Sequence, residues 1–450
     1  MIKPFKHQEQ ALAFLDEHPR AGLFLEQGLG KTLTTLWSAQ KHKAKRLFIA
    51  APPIVCESVW VDNLLKHFPE TWEVFIPYKY DGVNRAREVA KALAYTGPKV
   101  VITTYDSFLR YEKEFIQYAP DFVIFDEATA LKNMSAKRTR IALKFTKNTA
   151  RVIMATGTPV TTSPMDLHGI GCFIAPDKIP PRMTWFRDRV MRRGFGEFEW
   201  IPRADWHKVE CVRHILEHSF FMKLRDAVDM PPVTTTEIKV PLTDAQKAVL
   251  TELRTQAATL DGRITAVNVA RLRNALIQIS SGVVRDDDQS LYHIKSKRAE
   301  VIKELIDEAD SQVIVFTWHT IITEWLGHEL DAPIIHGATV ANKRHIILNA
   351  FKAGEHKVLV ANPQTIGHGV DLTNANRVIF AQLPDSLELY LQAISRVDRI
   401  GQAHPVLVYN LYSQTEATIL KNLLTKREYI DTIEEYKSLM NDLYETTDIN

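Results

Sequence analysis

Cysteine is scarce. Three residues in 450 (Cys56, Cys172, Cys211), with no C-x-x-C pair, speak against a disulfide scaffold and suit a reducing compartment. Long apolar runs are missing too: none reaches membrane-spanning length, and no membrane association is expected. The first residues, Met1-Ile2-Lys3-Pro4-Phe5-Lys6-His7, lack the apolar core of a signal peptide, so a cytoplasmic location is the expectation. Charge of one sign is nearly absent in sum. At a net +2, any nucleic-acid footprint has to be local. No short tandem repeat is visible. What remains is ordinary globular composition, 45% hydrophobic and 24% charged, with length for two to three domains.

A metal cluster is also hard to assemble. Cys211, His214 and His218 fall at i, i+3 and i+7, one face of a helix. Zinc wants four ligands or three plus water, and no fourth is evident. The same spacing places core residues on one stripe, and that structural reading is preferred.

The chain is organised around Leu23-Phe24-Leu25-Glu26-Gln27-Gly28-Leu29-Gly30-Lys31-Thr32. Ala21 to Leu25 reads as a buried strand. Two glycines follow, then Lys31-Thr32, then an apolar-periodic run through Leu36 and Trp37. Strand, glycine turn and helix form the context a phosphate loop requires. Gly28 and Gly30, flanking Leu29, let backbone approach an anion with no Cβ in the way. N–H groups at the helix start then face the phosphates. Lys31 reaches the β- and γ-phosphates, and the Thr32 hydroxyl sits on Mg²⁺. Leu25 stands where the general pattern has glycine, which leaves the shortened G-x-G-K-T of helicase-type motors.

Apolar strands recur downstream: Leu47 to Ala51, Val100 to Tyr105, Phe122 to Glu127, and Val152 into Thr156-Gly157-Thr158-Pro159. Strands separated by helical segments imply a parallel sheet covered on both faces. Ligands on such sheets bind at the carboxyl ends of the strands, where Gly28–Thr32, Asp126-Glu127 and Thr156–Thr158 all fall. Residues 160–290 lose the alternation and read as helical and irregular, with Pro231 to Thr236 as a connector and basic-aromatic texture over Trp185–Arg193. Alternation resumes near Lys297, with strands at Val313–Thr317, Pro333–Ile335, Val358–Ala361 and Arg377–Phe380. The expected fold is therefore α/β, two parallel-sheet lobes with a helical insertion between them. Lobe 1 spans 1–230, irregular from about 160. Lobe 2 spans 231–450, with a helical lead-in to about 295, a core over about 296–412, and a C-terminal helix and acidic tail. Residues 431–450 carry six acidic groups against one lysine, a solvated terminal helix by this reading.

Asp126-Glu127 is the second anchor. One carboxylate can hold Mg²⁺ while its neighbour orients and activates water. The third is Gln392 through Gln402. Arg396 and Arg399 lie three apart, one helical face, and can stabilise charge developing on a γ-phosphate. Two surface arginines would show the same spacing.

Gly28 to Thr32, Thr103-Thr104-Tyr105, Asp126-Glu127-Ala128 continuing to Leu131-Lys132-Asn133, Thr156 to Pro159, Gly367-His368-Gly369-Val370-Asp371-Leu372, and Gln392 to Gln402 appear in that order. Together they resemble the Swi/Snf-type branch of superfamily-two helicases, ATP-driven DNA translocases with two RecA-like, P-loop lobes. The resemblance spans about residues 1–412 and suits a minimal bacterial or phage-type member acting as a monomeric motor. It implies that Gln8 contacts adenine, and that Lys31 and Thr32 meet phosphate and Mg²⁺. Asp126 then serves Mg²⁺ and Glu127 activates water. Thr156 and Thr158, with Gln392, couple hydrolysis to lobe movement. Gly369 and Asp371 lie near nucleotide and DNA, and Arg396 and Arg399 are arginine fingers. Two departures bear on coupling: Thr129, where the family has a basic or polar residue such as histidine, and Asn362-Pro363-Gln364 before the glycines.

From Lys132 to Arg151 there are seven basic residues and no acid. Where the family tracks the DNA backbone, Lys132, Asn133, Lys137 and Arg140 become candidates for phosphate contacts, with hydroxyls from Thr103, Thr104 and Tyr105. The same run also fits a solvated helix face. The resulting expectation is an ATP- and Mg²⁺-dependent motor on duplex or forked DNA, without sequence specificity. Its rivals are a strand-separating DNA or RNA helicase and a nucleotide-dependent clamp with little turnover.

Overall fold

The computed structural model describes residues 3–196, 199–259, 266–285, 291–366 and 370–447. The chain divides into two compact units, Met1–Asp229 with Lys426–Asn450, and Met230–Thr425. Each is built on its own parallel sheet, as the strand pattern requires.

The first sheet takes β1 (Arg20–Leu25), β2 (Arg46–Ala51), β3 (Glu73–Phe75), β4 (Lys99–Thr104), β5 (Phe122–Asp126) and β6 (Arg151–Ala155). After the small antiparallel hairpin β7 (Met191–Arg193) and β8 (Trp200–Pro202), β9 (Ser219–Met222) returns to it. The order is β3-β4-β2-β5-β6-β1-β9, with every adjacent pair parallel. Helices cover both faces, so central strands are near-continuous apolar runs: Leu47 through Ala51 are all fully buried. Phe48 anchors a ring cluster, with centroids 5.5 Å from Phe108, 5.2 Å from Phe115 and 4.7 Å from Phe145. Truncating such a residue to alanine costs about 3–5 kcal/mol.

The second sheet orders β10 (Val233–Lys239), β17 (Val406–Tyr412), β16 (Ala375–Phe380), β13 (Gln312–Phe316), β15 (Val358–Ala361) and β14 (Ile334–Ile335), again all parallel. A hairpin of β11 (Val283–Arg285) and β12 (Leu291–His293) precedes the core. At the head of the helix Arg298–Asp307, Arg298 is fully buried and ion-paired to Glu416. Glu416 Oε2 also accepts the Ser413 N–H and hydroxyl, each at 2.9 Å. A buried charge persists only when paired and hydrogen-bonded in this way.

Three expectations need correction. The presumed connector Pro231–Thr236 runs into β10, an edge strand bonded along β17 over seven residue pairs. The region after 160 is not simply a helical insertion, because β9 extends the first sheet beside β1. Finally, the C-terminal stretch belongs with the first unit. The helix Ala417–Thr447 buries Ile430 and Ile433, and Lys223 Nζ lies 2.7 Å from Glu434 Oε2. Lys437 Nζ donates to the Leu216 carbonyl at 2.7 Å, so this helix is packed rather than merely solvated. No helix among the described residues is long and apolar enough to cross a membrane.

Candidate nucleotide site

Strand order brings the phosphate loop, Asp126-Glu127 and the Thr156–Thr158 turn together within the first unit. β5, β6 and β1 are adjacent and parallel, so the loops leaving their carboxyl ends must meet. Asp126 pairs in register with Ala155, and Ala155 with Leu23. The phosphate-loop turn uses its glycines as the sequence requires. Gly28 has φ 92°, and Gly30, N-cap of the helix Lys31–Lys41, has φ 74°. A Cβ at Gly30 would also stand 2.3 Å from Gln8 Nε2. Gln8 is buried, its amide donating to the Leu29 carbonyl at 3.3 Å while its carbonyl accepts the Phe5 N–H at 2.9 Å. His7 Nε2 contacts the same Leu29 carbonyl at 3.2 Å. The structure thus places Gln8 as a brace of the loop.

Half-buried Lys31 turns its ammonium back on the strand end, donating to the Leu25 carbonyl at 2.8 Å and towards Glu26 at 3.4 Å. Burial pulls its pKa down, against the charges of Glu127, Asp126 and Glu26. Thr32 is the next residue, in the first helical turn. Asp126 is buried, and burial raises its carboxyl pKa. Three groups oppose that rise: the Trp60 indole N–H on Oδ2 at 2.8 Å, the Lys31 charge, and the Glu127 N–H on Oδ1 at 3.0 Å. Lysine and carboxylate are each penalised for being charged in this pocket, so each gains from an opposite charge brought to it.

Glu127 has φ 48°, left-handed backbone that residues with a side chain rarely adopt, at a cost of about 1–3 kcal/mol. The conformation leaves its Oε2 3.4 Å from Thr156 Oγ1, which itself accepts the Thr158 N–H at 3.1 Å. One chain of contacts therefore links the second carboxylate to the Thr156–Thr158 turn. Carboxylate and hydroxyl oxygens at Asp126 and Thr32 are the hard donors magnesium prefers. A carboxylate has about four acceptor sites, so Asp126 keeps lone pairs beyond its two hydrogen bonds. The residues fit an Mg²⁺–nucleotide.

Trp60 escaped the sequence reading. It lies in a single π-helical turn, Cys56–Val61, and is 1% exposed. Such bulges recur at functional sites. A buried tryptophan needs a partner for its N–H, but periodicity does not say which.

The candidates for backbone contact divide. Thr103, Thr104 and Tyr105 are buried, contrary to expectation. The Tyr105 hydroxyl donates to the Asp126 carbonyl at 2.7 Å, and Thr104 Oγ1 caps the helix Tyr105–Arg110 by accepting the Ser107 N–H at 3.2 Å. Their hydroxyls hold the sheet end together. Lys132 is likewise engaged inside the fold, with Nζ 3.0 Å from Thr162 Oγ1 and 3.3 Å from Asp166 Oδ2. Asn133 Oδ1 accepts the Ser135 N–H at 2.9 Å. Arg151 is spent on the Leu15 and Asp16 carbonyls. Lys137, Arg140, Lys144 and Lys147 remain exposed on or just beyond the helix Lys137–Thr146.

In the second unit the helix Leu387–Ile394 ends before the arginines. Arg396 and Arg399 therefore occupy the following turns rather than one helical face; Arg396 is buried and Arg399 half-buried, unlike a surface pair. The Arg396 carbonyl accepts the Leu372 N–H at 2.9 Å, bringing the exposed Asp371 segment beside it. Gln402 clamps the same region through the Thr373, Ala375 and Val397 carbonyls. Gln392 is buried and donates to Glu388 at 3.3 Å. Gly369 lies outside the described residues. Cys211 is buried, His214 contacts Glu217 at 3.1 Å, and His218 Nδ1 meets the His214 carbonyl at 2.9 Å.

Residues 7–282 match the SNF2-related domain, and residues 296–401 match the helicase conserved C-terminal domain. The Drosophila melanogaster SWI/SNF-related matrix-associated actin-dependent regulator of chromatin subfamily A-like protein 1 is 26% identical over 424 residues, covering 90% of this chain and 52% of its own length. The chain thus spans about half of that relative. Putative protein p41 of Acyrthosiphon pisum secondary endosymbiont phage 1 is 23% identical, over 96% of this chain and 98% of its own. Among solved structures, the Sulfolobus solfataricus SWI2/SNF2 ATPase core in complex with dsDNA aligns at 21% identity with a TM-score of 0.44, covering 92% of this chain and 90% of that one.

Proposed function

Because the chain belongs to the SNF2-related family, we propose that it is a DNA-dependent ATPase that moves on duplex DNA. The observation that carries this reading is the convergence of Lys31, Asp126-Glu127 and Thr156 at three adjacent strand ends, with Glu127 Oε2 3.4 Å from Thr156 Oγ1. Lys31 pairs with the β- and γ-phosphates, exchanging its carbonyl partners for anionic oxygens. Asp126 and Thr32 would hold Mg²⁺, which would supply positive charge to neutralise phosphate oxygens. Glu127 accepts a proton from the attacking water. Arg396 and Arg399 offset charge developing on the γ-phosphate, the role the family resemblance gives them. Exposed Lys137 and Arg140 take duplex phosphates, which supply affinity without reading sequence. Duplex or forked DNA as the preferred structure, action as a monomer, and a cytoplasmic setting in a bacterial or phage-infected cell complete the proposal.

The decisive experiment compares steady-state ATP hydrolysis with no nucleic acid, blunt duplex DNA, forks, single strands and RNA, using Lys31→Ala as control. Stimulation by blunt duplex, abolished in Lys31→Ala, is the expected result. Stimulation by single strands or RNA alone would favour a strand-separating helicase, and binding without turnover a clamp.

A further inference from the structure

The motor reading makes no use of the region between Met183 and Arg203. There the helix Met183–Val190 leads into the β7–β8 hairpin, whose register sets Arg193 opposite Trp200. Two guanidinium groups stack on the Trp200 ring: Arg187 at 4.0 Å and Arg193 at 4.4 Å from its centroid. A third, Arg189, lies 4.0 Å over Trp185. Arg182, Arg189, Arg192 and Arg193 are exposed. From Arg182 to Arg203 six arginines face three acids in the sequence: Asp188, bonded to Arg187, Glu197, and Glu199, whose carboxylate is held by the Gly196 N–H at 3.1 Å. Positive charge therefore prevails on this surface, and stacking on indole pre-orders the arginine forks.

The turn after β7 carries Phe195, which is fully exposed. Phe186, by contrast, is fully buried, stacked with His168 at 5.1 Å, so the element already has its own core contact. A phenylalanine presented to water beside several arginines matches the chemistry of an unpaired nucleotide. An exposed base stacks on an aromatic ring, and the flanking phosphates take guanidinium groups. A paired base inside a duplex offers no face to such a ring, whereas the first unpaired base beside a duplex does.

We infer that the β7–β8 hairpin is a second nucleic-acid site, which binds the unpaired strand where duplex gives way to single strand, with Phe195 on a base and Arg192 and Arg193 on its phosphates. This rests on the motor reading only for its duplex partner. The test uses the full chain without nucleotide. It measures binding of a duplex with a single-stranded tail, whose first unpaired base is 2-aminopurine, against a blunt duplex of equal length. Wild type should bind the tailed duplex more tightly and change the 2-aminopurine fluorescence on binding. Phe195→Ala should weaken tailed-duplex binding by about five- to a hundredfold and lose that change, leaving blunt-duplex binding and basal ATP hydrolysis intact. Phe195→Trp should retain both signals. Arg192→Ala should lower the salt slope on the tail by about 0.7. Equal losses on both substrates, no loss on either, or no preference for the tail in wild type would each overturn the site. Failure of blunt duplex to stimulate ATP turnover would instead sink the motor reading and leave the tail measurement standing.

Discussion

Trp60→Phe removes one N–H from the site while keeping most of the ring. The indole is Asp126's strongest opposition to the burial that pushes its carboxyl pKa up. A hydrogen bond to a charged group is worth about 1.5–3 kcal/mol. Loss of a residue that orients a metal-binding carboxylate costs about 10–100-fold in affinity or activity, the same scale reached from another direction. The variant should therefore hydrolyse ATP about 10–100-fold more slowly at limiting Mg²⁺. Its acidic limb should lie at higher pH, because Asp126 without its donor holds its proton more tightly. Stability should follow the same sign. A carboxyl whose folded pKa is raised favours the fold fully only below its unfolded value, and that contribution is lost as pH climbs through the folded one. Trp60→Phe deepens the loss, so its Tm deficit should be larger at neutral than at acid pH. The assay is ATP turnover titrated with Mg²⁺ across pH, with melting curves in parallel. An unchanged Mg²⁺ requirement together with an unmoved acidic limb would refute the reasoning, and Trp60 would be core packing alone.

Glu127→Gln should still bind ATP, measured by fluorescent-nucleotide titration, yet turn it over far more slowly; lost binding would count against its role with water. Arg399→Ala should lower kcat by about 10³ or more if the guanidinium acts on the γ-phosphate, and an unchanged rate would return it to a purely structural turn. Reversing charge at both Lys137 and Arg140 should weaken duplex binding and reduce the slope of log affinity against log salt by about two. A constant slope would make that helix face merely solvated.

Much of the site was legible because its requirements are local. Gly28 and Gly30 announce positive φ, the apolar runs announce strands buried on both faces, and the position of Asp126-Glu127 at a strand end follows from both. Less legible were β9 and β10. Both lie at sheet edges; β10 exposes Thr234, Thr235 and Thr236 and so lacks the apolar signature of a central strand, while β9 is a four-residue run, Ser219 to Met222, that its length alone hardly distinguishes from the helix before it. Edge strands are specified by the neighbour they pair with more than by intrinsic preference. The arginines misled differently: three-residue spacing suggests a helical face, but the helix stops at Ile394 and the turns beyond it set where Arg396 and Arg399 stand.

The sequence by itself determined which residues could handle a triphosphate and where along the chain each would fall, since backbone freedom and periodic burial act over a few neighbours. Only the tertiary structure decided who stands beside whom. It set the indole of Trp60 on Asp126, folded the hydroxyls of Thr104 and Tyr105 inward, and docked the last helix on the first unit. Those choices depend on pairings between segments far apart in the chain, each won by the net free energy of burial and hydrogen bonding over the whole fold, which no short window of residues contains.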